Sequence, residues 1–150
     1  MEENTKIIKA SEKGYTKLYK NTSVSDYKKS IQDENLLTNS KSIVLDITSC
    51  RLGYPATPQF VDLFLEHLAK MDGEKSLIIK MGCISYSEWV CLNVIVLEGA
   101  FFGIMEKMDS NEDLARVKEV VNKKLTENGI VMTVILDDTT QKPFEYGKCC

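Results

Sequence analysis

Histidine and tryptophan each occur once in this chain of 150 residues, and proline three times. With His67 alone, no site can rest on two imidazoles, as many zinc centres and proton relays do. Cysteine is less scarce, but the five are an odd number, none forms a Cys-x-x-Cys pair and no histidine lies near them in sequence. That pattern predicts reduced thiols in a cytoplasmic protein rather than a disulfide framework. Cys50, Cys83 and Cys91 sit in or beside apolar runs and read as small core residues. The pair Asp137-Asp138 and the scattered cysteines have no ligand spacing, so no metal or other cofactor is expected.

Enzyme signatures are missing as well. There is no Gly-x-x-x-x-Gly-Lys-Ser/Thr loop, no Gly-x-Gly-x-x-Gly after a strand and no Gly-x-Ser-x-Gly elbow. Net charge is small, −3 with a pI near 5.3, which argues against a nucleic-acid binder acting through bulk charge. Lys17, Lys20, Lys28 and Lys29 make one locally basic stretch, read as a solvated face. Met1 to Lys13 has no apolar core segment, so no secretory signal is expected. Trp89 to Met105 falls short of the roughly 20 apolar residues of a membrane span. Glu98 near its middle would cost about 3 kcal/mol there, so no membrane association is expected. The terminal Cys149-Cys150 resembles a prenylation end, but the phosphate-binding loop of the small GTPases that carry such ends is missing, and two tail thiols are the plainer reading.

The hydrophobic fraction of 43% and the length suit one globular domain with a real core. Its clearest signal is Lys41 to Cys83. Ile43, Val44, Leu45 and Ile47 form a β-branched run suited to a strand buried on both faces. Thr57 reads as the cap and Pro58 as the first residue of the next helix. Phe60, Val61, Phe64, Leu65 and Leu68 give that helix one apolar stripe, with Asp62, Glu66 and Lys70 on the other side. Asp72-Gly73 ends it, and Leu77, Ile78 and Ile79 start a second buried strand. Two such strands joined by a helix predict a parallel crossover.

Around this unit, Lys6–Ala10 and Tyr15–Lys20 are expected to form a hairpin at the sheet edge. Ser23 and Asp26 open a helix carrying Tyr27, Ile31 and Leu36 or Leu37. Ser85 with Glu88 caps a long, buried apolar helix reaching Met108, favoured over a strand at Val90–Leu97. Gly99 and Gly103 would then share a helix face, suited to tight packing or, less simply, a homodimer seam. Ser110–Asn128 is an amphipathic helix with Leu114, Val117, Val121 and Leu125 inward, and Ile130–Leu136 is a third strand. Residues 137–150 read as a polar tail. The fold class expected is α/β, a single domain over 1–136 with a mixed or mostly parallel sheet.

Ile43 to Cys50, then Thr57 to Leu68, then Ser76 to Lys80 together resemble a STAS domain, and more closely the STAS-like domains found in bacteria. The resemblance covers about half of the chain. It implies a non-enzymatic regulatory or protein-interaction module that binds a protein partner through the loop and helix after the central strand. By position it makes Thr57 a candidate phospho-acceptor. Arg51, Tyr54 and Thr57 are candidate partner contacts on the loop, the first two being residue types that anchor interfaces. Asp46 and Lys80, near the carboxyl ends of their strands, suggest the alternative of a small enzyme or nucleotide-binding protein, with Asp46 as a phospho-acceptor. A third reading is a structural homodimer through the 85–108 segment.

Overall fold

Alternation, rather than continuous burial, governs the central strands. In β3 (Ser42–Ile47), Ile43, Leu45 and Ile47 are fully buried, while Ser42, Val44 and Asp46 between them are half-buried. The same period of two runs through β5 (Lys75–Met81) and β6 (Ile130–Leu136). Successive side chains of a strand point to opposite faces, so one face of the sheet is packed and the other partly open. The structure, a computed structural model, describes residues 5–13, 17–18, 29, 31–32, 39–52, 56–82, 87–97, 99–104, 111–137 and 142–148.

The main sheet has five strands in the order β1-β3-β5-β6-β7, where β1 is Thr5–Lys9 and β7 is Phe144–Tyr146. β1, β3, β5 and β6 run parallel, and β7 is antiparallel on β6. The expected α/β class and mixed, mostly parallel sheet are therefore found, and β3 and β5 lie side by side in the same direction. Strand order advances one way from β1 to β6. With the usual right-handed crossovers, such an order puts connections on the same face. For that reason Val44, Ile78 and Ile135 are half-buried, not enclosed on both sides as their apolar run suggests.

Helix α1 (Ala56–Ala69) buries the predicted stripe, and Phe60 and Phe64 meet edge to face with centroids 5.3 Å apart. It also buries Asp62, only 4% exposed, which the pattern put on the solvent side. Gly73, at φ 87°, closes the connection to β5. Helix α3 (Asn111–Glu127) turns Val117, Val121 and Leu125 inward as expected.

Between them the expected long helix is cut short. Helix α2 spans Glu88–Ile95, and its cap is Ser87, whose Oγ accepts the Val90 N–H at 3.3 Å. Turns follow instead of further helix. Asp62 Oδ2 accepts the Phe101 N–H at 3.1 Å, and a Cβ on Gly99 would lie 3.0 Å from Asp62 Oδ1. Gly103 is in the left-handed region at φ 73°. Gly99 thus serves a turn against α1 and Gly103 a left-handed turn beyond it, so the two do not share one helix face. No helix among the described residues is long and apolar enough to cross a membrane.

The chain ends differ from expectation too. β1 enters the main sheet beside β3, while β2 (Lys17–Leu18) pairs in parallel with β4 (Arg51–Leu52) in a separate two-stranded sheet. Among the described residues β1 and β2 do not pair as a hairpin, because each lies in parallel beside a strand from later in the chain. A 3-10 turn, Ala10–Lys13, follows β1 instead. Lys29, Ile31 and Gln32 are helical and Ile31 is fully buried, where a helix was expected. Tyr27, Leu36 and Leu37 lie outside the described residues. The supposed loose tail supplies β7, and Tyr146 within it is 1% exposed. Its hydroxyl donates to Glu88 Oε2 at 2.7 Å, and Lys118 Nζ donates to Glu88 Oε1 at 3.3 Å, joining α2, α3 and β7.

Candidate functional site

The parallel register assembles one row at the carboxyl ends of the strands. Lys9 lies beside Asp46, and Asp46 beside Lys80. All three fall on the partly open face, with both lysines exposed and Asp46 half-buried between them. Ligands of open α/β sheets commonly meet the chain at such ends.

Asp46 is held in place by its own turn. Its Oδ1 accepts the Thr48 N–H at 3.0 Å and the Thr48 hydroxyl at 2.6 Å. Burial pushes its carboxyl up, but the two Thr48 bonds, with the charges of Lys80 and Lys9, outweigh that and leave it below the usual carboxylate value. Asp46 is therefore an anion that shapes the turn. A general base working near neutrality needs the opposite shift. Gly82 makes the geometry possible, since a Cβ there would come within 2.1 Å of the Thr48 carbonyl oxygen. Cys50 follows, its N–H donating to the Ile47 carbonyl at 3.1 Å. Burial, aided by the Asp46 charge, pushes its thiol up to about 11.

The remaining sequence-predicted residues separate. Arg51 is exposed on β4, just beyond the Asp46 turn. Tyr54 lies outside the described residues. Thr57 is fully buried as the second residue of α1, not its cap. Pro58 is accommodated within the first turn, where the backbone N–H has no helical partner to lose. A side chain with no exposed surface offers neither a partner contact nor a phosphorylation target. Nor does α1 present an exposed side, since ten of its fourteen residues are buried. His67 is half-buried in the last turn of α1. Asp137 is exposed, Asp138 lies outside the described residues, and no group of three metal-binding side chains exists among the described residues.

A second feature lies at the opposite ends of the strands and escaped the sequence reading. A cleft of 640 Å³ is bounded by Lys41, Ser42, Lys75, Ser76, Gly129 and Lys148, among others. The signal that could have found it is a repeated dipeptide. Lys41-Ser42 and Lys75-Ser76 open two strands, and the register sets Ser42 beside Ser76.

Searches against protein-family models, curated proteins and solved structures give no match for this chain.

Proposed function

We propose that this chain is a non-enzymatic regulatory or protein-interaction module, of the kind the STAS-like resemblance implies, which takes an acidic segment of a protein partner at the carboxyl ends of β1, β3 and β5. The observation that carries the reading is the row Lys9–Asp46–Lys80. Asp46 turns its charge into the bonds to Thr48, while the lysines on either side are exposed. Arg51 adds a third exposed cation a few residues on. Lys9 is 3.9 Å from Glu12, an exposed pair that an incoming carboxylate can displace. Control by phosphorylation of Thr57 is not part of the proposal, because that hydroxyl is buried.

Exposed ion pairs contribute about 0.2–1 kcal/mol each. Binding through three cations is therefore weak and falls with added salt. Fluorescence anisotropy with a set of Asp- and Glu-rich peptides at low ionic strength tests it. Lys9→Gln with Lys80→Gln should weaken binding by up to about thirtyfold, the top of that range for two contacts. Arg51→Gln should weaken it further, with thermal midpoints unchanged. Equal affinity in the variants, or no acidic peptide bound by the unaltered protein, would sink the reading.

A further inference from the structure

We propose that the cleft at the amino ends of β3, β5 and β6 binds a small phosphorylated ligand, with its phosphate held between Lys75, Lys41 and Lys148. This site is at the far end of the sheet from the row described above and does not depend on it.

Lys75 carries the argument. It is 6% exposed, yet its ammonium makes one hydrogen bond, to the Met71 carbonyl, and no carboxylate pairs with it among the described residues. An ammonium has three donors. Lysine is almost never fully buried unless paired, since taking an uncompensated charge out of water is costly. Here two donors and a full positive charge remain, and the side chain lines an open cleft. An anion in that cleft would supply what the protein does not.

The surroundings have the matching chemistry. Lys41 and Lys148 line the same cleft, against one carboxylate, Glu74, which is exposed. Among the described residues Lys148 pairs with exposed Glu145, at 2.9 Å, an interaction easily exchanged. Ser42 and Ser76 bring hydroxyls side by side in register. Ser42 Oγ accepts from the Thr5 hydroxyl at 3.3 Å, which leaves its own proton for a ligand. Glycine lies beside two of the ammonium groups. A Cβ on Gly73 would lie 3.1 Å from Lys41 Nζ, and one on Gly129 would lie 3.6 Å from Lys75 Nζ. Several cations and hydroxyls lining one cleft suit a dianionic phosphate better than a single carboxylate. The volume lies in the range of about 300–1,000 Å³ usual for small-molecule sites, so room remains for the organic part.

The test follows backbone amide shifts of the full chain by NMR. Inorganic phosphate and AMP are titrated separately, each against sodium chloride at matched ionic strength. Saturable shifts at Ser42, Ser76, Gly129 and Gly147 are expected, with AMP binding at least as tightly as phosphate. Lys41→Gln with Lys148→Gln, both exposed positions, should weaken AMP binding about tenfold or more, as expected for loss of two charged contacts. Lys75→Met should abolish it; if that variant fails to fold, the double variant decides. Shifts that sodium chloride reproduces, an undiminished affinity in the double variant, or exclusion of AMP while phosphate binds would each overturn the proposal.

Discussion

Replacing Asp62 by asparagine should remove a pH dependence built into the core. Asp62 lies within α1, its Oδ2 accepting the Phe101 N–H while Oδ1 is buried and, among the described residues, has no donor in hydrogen-bond geometry. Burial pushes its carboxyl up to about 7, against the downward pull of the Phe101 and Ala100 N–H groups and with a further push from Glu66. In the unfolded chain the same group titrates near 3.9. The folded protein therefore keeps a proton that the unfolded chain has already released. Stability from this group is fully present below about pH 4 and is lost as the pH rises through about 7. A separation of about three pH units is worth about 4 kcal/mol, of which about 3 kcal/mol falls between pH 5 and 8. That is a large part of the 5–15 kcal/mol that holds a typical domain folded. Asparagine keeps the shape and an acceptor for Phe101 but cannot ionise. Urea unfolding of both proteins at pH 5 and pH 8 isolates the effect, because other titrating groups cancel in the difference. The native protein should lose about 3 kcal/mol more than Asp62→Asn between the two pH values. An identical slope in the two proteins would falsify the assignment of a protonated Asp62.

Tyr146→Phe deletes the hydroxyl that donates to the Glu88 carboxylate while keeping the buried ring. A hydrogen bond to a charged group contributes about 1.5–3 kcal/mol, so the urea midpoint should fall accordingly; an unchanged midpoint would mean that β7 is not tied to α2 through this bond. Cys50 and Cys91 are buried thiols, and that of Cys50 stays protonated well above neutral pH. Iodoacetamide at pH 8 should therefore leave both unmodified in the native protein and label them in urea, read by peptide mass mapping; rapid native labelling of Cys50 would contradict the packing described around it.

Residues 43–47, 57–68, 75–81, 111–127 and 130–136 were legible because each carries its own period and most carry a terminus signal. Five apolar residues at helical spacing leave α1 few alternatives, and β-branched runs do the same for the strands. Where a local signal is short or shared, reading it alone misleads. Thr57-Pro58 looks like a helix start, yet the helix begins at Ala56 and the hydroxyl is buried. Residues 144–146 are too few to show alternation, although Tyr146 fills the core beside β6. Of the candidate site, Asp46 and Lys80 were visible as residues near strand ends. Their alignment with Lys9 depends on a strand that joins the sheet from more than thirty residues away.

The sequence by itself determined that residues 43–47, 75–81 and 130–136 are strands and that helices cover 57–68 and 111–127, because those depend on neighbours within a turn or two. Only the tertiary structure decided which strands lie together, where the apolar run after Ile95 leaves its helix, and which charges end up side by side. Asp62 and Phe101 show why: a single carboxyl group on one helix accepts a backbone N–H from a segment 39 residues away and turns the chain there. Lys75 shows it at the other end of the sheet. A lysine opening a strand reads as solvated, and only the closure of two glycine turns around it makes it a buried cation.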